Sequence, residues 1–290
     1  MEVNFRSRSW SDLTFAIVGL GLIGGSYGKA LRKLNARKII GIEQNPETLQ
    51  LALDMGVIDE GWTSANEGLQ QADVLICCIY PDGIVPFVAE NVKYFNKNLL
   101  MTDVAGIKRN MIAQVQALLG PGMEFISGHP MAGRQASGLG MSDAHIFQNA
   151  NYIIVPEQAN SEEAILWLED FAKALGCRNT VRVTADEHDR TIAYTSNLPH
   201  ITAVALIDSG TYNEATRYFV AGSFKDGTRV ADINPELWSA LFMANRMKCA
   251  DELDKYIAEL EIWRRALREG DAETMKERMR LSGARRKELY

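Results

Sequence analysis

The sequence has few cysteines, and their spacing argues against several kinds of site. Its 290 residues include four cysteines, Cys77, Cys78, Cys177 and Cys249. None of them occurs in the CxxC or CxxH spacing that is typical of zinc sites, and the pattern does not form a disulfide framework. We therefore expect no bound metal, and free thiols that stay reduced in a cytoplasmic environment.

Positive charge and long apolar runs are also scarce. The chain has 31 Lys and Arg against 37 Asp and Glu, a net charge of −6, which argues against nucleic acids and anionic membranes as partners. The N-terminal segment MEVNFRSRSWSDLTF lacks the apolar stretch of a signal peptide, and no run of about 18 apolar residues predicts a transmembrane helix. These absences favour a cytoplasmic protein and leave small anionic substrates possible.

Strand and helix patterns alternate through the first part of the chain. Strands are predicted at Leu13–Leu20, Lys38–Ile42, Asp73–Ile79, Leu99–Asp103, Glu124–Ser127, Asn151–Val155 and Arg178–Val183. Helices are predicted between them at residues 24–34, 46–55, 84–93, 108–119 and 161–175. This order predicts a Rossmann-like α/β fold, with a parallel sheet and helices on both of its faces.

No strand pattern follows residue 184. Asp186–Ser209 predicts one long apolar helix, Asn234–Gly270 is largely helical, and Asp271–Leu289 predicts a final charged helix. Leu253, Ile257, Leu260, Trp263 and Leu267 form one apolar stripe that could be internal core or a seam between subunits. We therefore predict a dinucleotide-binding domain at residues 1–184 and an all-α domain at residues 185–290.

A glycine-rich turn follows the first strand. Gly19, Gly21 and Gly24 form a GxGxxG motif, with Leu22 and Ile23 between the second and third glycines. In such motifs the first glycine allows a tight turn, the second lets the backbone approach a pyrophosphate, and the third lets helix and strand pack closely. The motif lies between a predicted strand and a predicted helix, which is the context that favours a dinucleotide site over a simple chain reversal.

Glu43 ends the second predicted strand and indicates which dinucleotide binds. A carboxylate there can accept hydrogen bonds from the ribose hydroxyls of NAD and would repel the 2′-phosphate of NADP. Gln44, Asn45 and Pro46 follow it, so no arginine is available to hold that phosphate. We predict NAD as the cofactor, although a carboxylate at a strand end is also compatible with simple exposure to solvent.

Further polar residues follow other predicted strands. Ligands of parallel α/β sheets bind beyond the carboxyl ends of the strands, where this chain has Tyr80, Pro81 and Asp103. His129 is expected in a loop directly after the strand that ends at Ser127. An imidazole there is suited to proton transfer near neutral pH, and a purely structural loop histidine is the alternative. His145 and His188 have no comparable context and are interpreted as structural or exposed.

The helical part contains a second group of polar residues. Ser196 and His200 interrupt an apolar helix, an arrangement that is also compatible with a kinked helix and a structural histidine. Arg229 follows Gly222 and precedes Trp238, and its guanidinium could hold a carboxylate with two hydrogen bonds.

The order of these motifs resembles the prephenate dehydrogenase family, which includes the arogenate dehydrogenases. The segments are GLGLIG, GIEQNP, SGHPMAG, SNLPH and GSFKDGTR followed by a tryptophan, and the resemblance spans about residues 14–270. It implies a Rossmann domain with a helical dimerisation domain, and a homodimer. It also implies NAD-dependent oxidative decarboxylation of prephenate to 4-hydroxyphenylpyruvate in tyrosine biosynthesis.

The resemblance assigns roles to individual residues. His129 matches the family's catalytic histidine, which draws off the proton of the substrate 4-hydroxyl, and Arg229 matches the arginine that binds the substrate carboxylate. His200 matches a histidine of the substrate pocket, and Ser196 lies one helical turn before it. Gly222 and Trp238 match residues that shape the pocket, so we expect substrate contacts at these two residues and at Ser196, His200 and Arg229. The imidazole of His129 and the guanidinium of Arg229 are expected to face the same substrate.

Two positions differ from the family pattern. Gly106 stands where members often have a serine beside the catalytic histidine, so a hydroxyl that could orient His129 or the substrate is missing. Gln135 stands where some members have an acidic residue, and its neutral side chain favours the keto acid prephenate over the ammonium-bearing arogenate. We expect neither a regulatory nor a chorismate mutase domain, so any feedback by tyrosine is expected at the active site.

Three alternatives remain open from the sequence. The chain could be an arogenate dehydrogenase that forms tyrosine directly. It could be a β-hydroxyacid dehydrogenase, but such an enzyme needs a lysine on the first long helix of its second domain, and residues 186–209 contain none. It could also be an NAD-binding sensor without catalysis, which would not need both His129 and Arg229.

Overall fold

The computed structural model describes residues 8–134, 136–210 and 212–289. Its strands are β1 (Thr14–Val18), β2 (Lys38–Ile42), β3 (Glu60–Trp62), β4 (Val74–Cys77), β5 (Leu100–Asp103), β6 (Glu124–Phe125), β7 (Ser127–Pro130), β8 (Asn151–Val155) and β9 (Asn179–Arg182). Its helices are α1 (Leu22–Lys33), α2 (Pro46–Asp54), α3 (Pro81–Asn91), α4 (Arg109–Leu118), α5 (Glu162–Ala174), α6 (Ala185–Ile192), α7 (Leu198–Ser209), α8 (Gly222–Thr228), α9 (Pro235–Ala244), α10 (Arg246–Glu269) and α11 (Ala272–Leu289).

The chain divides into two compact units, residues 1–190 and residues 191–290. The first is the predicted Rossmann-like α/β unit, and the described part of the second is helical, so the predicted fold class is confirmed. The division falls inside α6, a short distance past the boundary that we predict from sequence after residue 184.

A parallel sheet forms the centre of the first unit. Its strand order is β3-β2-β1-β4-β5-β6, with Thr14 opposite Lys38 and Phe15 opposite Val74. Every residue of β1 and of β4 is buried. Central parallel strands are covered on both faces, which explains why both sequences are almost entirely apolar.

Alternation along β1 connects this sheet to helices on both faces, as predicted. Phe15 and Ile17 belong to a core that includes side chains of α1 and α5, whereas Ala16 and Val18 belong to a core that includes side chains of α3 and α4. In the first core the rings of Trp167 and Phe171 stack at 5.2 Å between centroids. Burial of each such aromatic side chain contributes about 1.5–3 kcal/mol to the stability of this core.

A second sheet corrects the predicted strand at Glu124–Ser127. That segment is two strands in different sheets: β6 ends the parallel sheet, and β7 pairs antiparallel with β8, which in turn pairs parallel with β9. His129, predicted in a loop, therefore lies inside β7. The neighbouring glycine and proline made this segment look like a turn, but β7 is an edge strand, where proline is tolerated. The short edge strand β3 was not predicted at all.

The predicted helix Asp186–Ser209 is also corrected. It is two helices, α6 and α7, joined by a π-helical segment at Ala193–Asn197. Pro199 lies in the first turn of α7. Proline has no backbone N–H to donate, and the first turn of a helix tolerates this because its N–H groups have no partner within the helix. The side chain of Asn197 is buried and its Oδ1 accepts hydrogen bonds from Asn245 (3.3 Å) and from the Cys249 thiol (3.4 Å), which join this segment to the start of α10.

In the second unit α10 contacts the π-helical segment, α7, α9 and α11, and α8 packs on α7. Asn245 interrupts the long helical stretch that we predict at Asn234–Gly270, so α9 and α10 are separate helices. No helix in the described residues is both long enough and apolar enough to cross a membrane.

Candidate functional site

The glycine-rich turn joins β1 to α1, and two of its glycines are required by close contacts. Gly19 has φ +86°, and a Cβ there would lie 2.7 Å from the carbonyl oxygen of Cys78. A Cβ on Gly24 would lie 1.9 Å from the carbonyl oxygen of Gly19. Gly21 precedes Leu22 and Ile23 at the start of α1, has open space on its Cβ side, and is the N-cap of a helix that no side chain caps. The turn therefore presents unobstructed helix N–H groups, which attract phosphates.

A cleft of about 740 Å³ opens beside this turn. It is lined by Gly19, Gly21, Glu43 and Tyr80, four of the predicted cofactor residues. Oε2 of Glu43 accepts a hydrogen bond from the backbone N–H of Leu20 (2.9 Å), and Oε1 accepts one from the N–H of Asn45 (3.0 Å). These bonds hold the carboxylate at the end of β2 and leave lone pairs for ribose hydroxyls. Pro81 is the first residue of α3, next to Tyr80, and is not among the lining residues.

Asp103, which we predict at the cofactor, has a different position. Its side chain is fully buried and accepts hydrogen bonds from the Ser127 hydroxyl (2.6 Å), the Lys108 ammonium (2.6 Å) and the backbone N–H groups of Ala105 and Gly128. These donors occupy the carboxylate, so it ties β5 to β7 and leaves no atom exposed to the cleft.

Lys108 is a buried cation that the sequence analysis missed. Its side chain is fully buried, and Nζ donates to Asp103 and to the carbonyl oxygen of Gly128, each at 2.6 Å. Burial lowers the pKa of Lys108, and the Asp103 carboxylate opposes that shift. Both members of the pair lie in the segment Asp103–Lys108, and a buried lysine needs such a partner, but nothing local in the sequence shows that position 108 is buried.

His129 is held in β7 next to that ion pair and is partly exposed. Its Nδ1 lies 2.9 Å from Nε2 of His188. Burial, the charge of Lys108 and the neighbouring His188 all lower the pKa of His129 well below the ordinary histidine value. The ring is therefore neutral near pH 7 and able to accept a proton.

His188, which the sequence suggests is either structural or exposed, is buried. It is 2% exposed, and its Nδ1 lies 2.8 Å from Oδ1 of Asp189. Asp189 also accepts hydrogen bonds from the backbone N–H groups of Lys108 (2.9 Å) and Arg109 (3.0 Å) at the start of α4. Nothing in the local sequence of α6 indicates that position 188 meets position 129. His145, in contrast, is exposed beside Asp143, as expected.

Three predicted substrate residues lie together within the helical unit. The rings of His200 and Trp238 stack at 3.6 Å, and Nδ1 of His200 donates to the carbonyl oxygen of Ser196 at 2.8 Å. Burial lowers the pKa of His200, the Ser196 carbonyl opposes this, and the positive charge of Arg229 lowers it further. Arg229 lies just past the end of α8, and Gly222 begins that helix with open space on its Cβ side.

Other expectations concern residues outside these two groups. Gln135 lies outside the described residues. Cys77, Cys177 and Cys249 are buried and Cys78 is partly exposed, all as free thiols. Within residues 8–134, 136–210 and 212–289, no group of three or more His, Cys, Asp or Glu is arranged to hold a metal ion.

Both parts of this chain are similar in sequence to known proteins. Family models described as "Prephenate dehydrogenase, nucleotide-binding domain" and "Prephenate dehydrogenase, dimerization domain" match residues 27–181 and 184–281. The chain is 31% identical to prephenate dehydrogenase of Bacillus subtilis, covering 90% of this chain and 72% of that relative. It is 29% identical to cyclohexadienyl dehydrogenase of Zymomonas mobilis, covering 92% of each.

A solved structure agrees with these matches. The crystal structure of prephenate dehydrogenase from A. aeolicus in complex with hydroxyphenyl propionate and NAD+ superposes with a TM-score of 0.86 at 25% identity, over 96% of this chain and 98% of that one. With two family models covering most of its length and a relative above 30% identity, the chain belongs to the prephenate dehydrogenase family.

Proposed function

We propose that this chain catalyses the NAD-dependent oxidative decarboxylation of prephenate to 4-hydroxyphenylpyruvate, a step of tyrosine biosynthesis. Its family supports this, since the relatives from Bacillus subtilis and Lactococcus lactis are named prephenate dehydrogenases. The observation on which the proposal depends most is His129, a partly exposed imidazole whose pKa is held low. Such a ring can take a proton from a hydroxyl at neutral pH.

NAD fits the cleft of the first unit. The open space at Gly21 admits a pyrophosphate to the start of α1, and the Glu43 carboxylate at the end of β2 suits the ribose hydroxyls of NAD and repels a 2′-phosphate. The A. aeolicus relative was solved with NAD+. When bound, NAD supplies the acceptor for the hydride that leaves the substrate.

Two glycine variants separate cofactor binding from packing. Gly21→Ala places a methyl group where the pyrophosphate is expected, so we expect about tenfold or greater weakening of NAD binding with an unchanged Tm. Gly24→Ala places its methyl group against the Gly19 carbonyl and should lower stability by about 1–3 kcal/mol. Calorimetric titration and thermal melts measure both, with Gly120→Ala, which also has open space, as the control. Unchanged NAD binding in Gly21→Ala would contradict the placement.

The reaction needs one proton to move and return. His129 accepts the proton of the 4-hydroxyl as hydride leaves C4, which lets that carbon take on carbonyl character. The bond from C1 to its carboxylate then breaks, CO₂ leaves, and the electron pair enters the ring. His129 returns the proton to the oxygen, so the product is a phenol and the enzyme is regenerated. The family resemblance supports a role for Arg229 in holding a substrate carboxylate, with His200 and Trp238 as its neighbours in the helical unit.

Arg229 offers a test of the substrate role. We expect Arg229→Ala to raise KM for prephenate by about 10- to 100-fold with a smaller effect on kcat, because a charge-assisted hydrogen bond is worth about 1.5–3 kcal/mol. Steady-state kinetics measure the two constants, and Arg190→Ala, at an exposed ion pair on α6, is the control. If KM is unchanged, Arg229 does not bind substrate.

We also propose that the protein is a cytoplasmic homodimer formed through its helical unit. The family model for residues 184–281 describes a dimerization domain. The apolar stripe of α10 supports this, since Ile257, Leu260 and Leu267 are 47%, 48% and 65% exposed in the single chain. A continuous row of exposed apolar side chains is typical of an interaction surface.

A charge on that stripe should dissociate the dimer. Leu260→Glu removes apolar contact and buries a carboxylate in each subunit, so we expect the mass measured by light scattering to fall from dimer to monomer. Lys173→Glu, at an exposed position of α5, should leave the mass unchanged. A dimeric Leu260→Glu variant would place the interface elsewhere.

The deciding assay follows NADH formation from prephenate and, separately, from arogenate, with NAD⁺ and with NADP⁺. We expect rapid turnover with prephenate and NAD⁺. Higher kcat/KM with arogenate would change the substrate assignment, and absence of turnover with both substrates would refute the proposed activity.

A further inference from the structure

Within the first unit, His129, His188 and Asp189 form a row of three side chains linked by hydrogen bonds. Asp189 contacts His188, and His188 contacts His129, at 2.8 Å and 2.9 Å. We propose that Asp189 and His188 fix the proton positions of His129, so that Nδ1 carries the hydrogen and Nε2 is the nitrogen that accepts the substrate proton. The two are positioning residues, and their importance for turnover rests on the proposed function.

The direction of each hydrogen bond in this row follows from the charge of Asp189. Its two oxygens already accept the backbone N–H groups of Lys108 and Arg109. Burial opposes ionisation, but the hydrogen bonds from His188 and from these backbone groups prevail and lower the pKa of Asp189. An ionised carboxylate only accepts hydrogen bonds, so Nδ1 of His188 must carry its proton.

The protonation of His188 in turn fixes the direction of its hydrogen bond with His129. Burial lowers the pKa of His188 and the charge of Lys108 adds to that effect, while Asp189 opposes it. A neutral His188 with its proton on Nδ1 has an unprotonated Nε2, which can only accept. Nδ1 of His129 must therefore donate to it. Since His129 is neutral as well, its Nε2 has a free lone pair, and no hydrogen bond among the described residues occupies that atom.

This arrangement matters because a neutral imidazole can carry its hydrogen on either nitrogen. With the proton on Nε2, the ring could not accept one from the substrate there. Gly106 has no hydroxyl with which to orient the ring. His188, buried and tied to Asp189, takes that orienting role in this protein.

Histidine ¹⁵N NMR of the whole enzyme tests the inference without any turnover. The chain has only four histidines, so the spectrum is simple, and His145→Gln and His200→Gln remove the signals of the two that lie outside the chain of contacts. We expect Nδ1 of both His129 and His188 to be protonated and Nε2 of both to be unprotonated near pH 7. A protonated Nε2 on His129 would overturn the proposal.

Two substitutions at one position add a kinetic test. His188→Leu cannot accept a hydrogen bond, so we expect kcat to fall about tenfold or more, within the roughly 10²–10⁴-fold contribution of a general base, with unchanged KM for NAD. His188→Gln presents an amide oxygen near the position of Nε2 and should recover much of kcat and the unprotonated Nε2 of His129. A merely structural role predicts equal loss in both variants.

The outcomes separate this inference from the proposed function. If the wild-type enzyme oxidises neither prephenate nor arogenate, the proposed function fails, and the NMR result still decides the proton positions. If the enzyme turns over but His188→Leu keeps both kcat and the His129 proton pattern, the positioning role is refuted. If His188→Leu does not fold, the wild-type spectrum alone decides.

Discussion

Replacing His129 with alanine should lower kcat for prephenate oxidation by roughly 10²–10⁴-fold, the usual contribution of a positioned general base. NAD binding should be unaffected, because His129 does not line the cleft in which we propose that NAD binds. Steady-state kinetics and calorimetric titration with NAD measure the two effects. Near-native turnover in His129→Ala would remove the central residue of the proposed mechanism.

The matched control is His145→Ala. His145 lies in the same unit, is 64% exposed at its side chain and pairs with Asp143, so its loss should leave kcat and NAD binding unchanged. A similar loss of kcat in both variants would indicate a general effect on folding and not the loss of a base.

The pH profile gives an independent check on the same imidazole. Burial, Lys108 and His188 lower the pKa of His129, so the ring stays neutral to a lower pH than a free histidine, whose pKa is about 6.5. Activity requires the neutral ring, and kcat/KM should fall only below that pH, as protonation passes through the lowered pKa. An acid limb of kcat/KM above pH 6.5 that disappears in His129→Ala would contradict the lowered pKa of His129.

Lys108→Met should destabilise the protein by about 3–5 kcal/mol, the cost of leaving a buried charge without its partner. Lys108 and Asp103 are both fully buried at 2.6 Å, so water cannot replace the lost ammonium. Chemical denaturation measures the change. Lys276→Met breaks an exposed pair with Glu273 and should cost no more than about 1 kcal/mol.

The same variant has a second, electrostatic readout. Lys108 contributes to the low pKa of His129, so its removal should move the acid limb of kcat/KM to higher pH. If Lys108→Met changes neither the stability nor the position of that limb, the ion pair neither stabilises the fold nor lowers the pKa of His129.

Local patterns were sufficient for the framework of the first unit. The apolar runs at β1 and β4 specify strands, and the GxGxxG motif specifies a tight turn and the start of α1, through contacts between near neighbours. The same local reasoning misplaced β7, because Gly128 and Pro130 favour a turn, and only pairing with β8 makes that segment a strand. It also missed β3, a strand of three residues stabilised by its pairing with β2.

At the candidate site, the sequence predicts which residues have a chemical role but not which residues they contact. His129, Glu43 and the glycines stand out in sequence because each has a chemical reason at its position. Burial of Lys108 against Asp103 and of His188 against His129 depends on how α4 and α6 pack on the two sheets, and a charged helical sequence gives no sign of it.

The sequence by itself determined the kind of protein: an α/β nucleotide-binding unit followed by helices, with a histidine and an arginine suited to a hydroxy acid. Only the tertiary structure decided the protonation chemistry, because the pKa and tautomer of His129 depend on groups up to 60 positions away along the chain, such as the ring of His188, 59 residues distant. Desolvation and hydrogen-bond direction arise only when those groups are packed together.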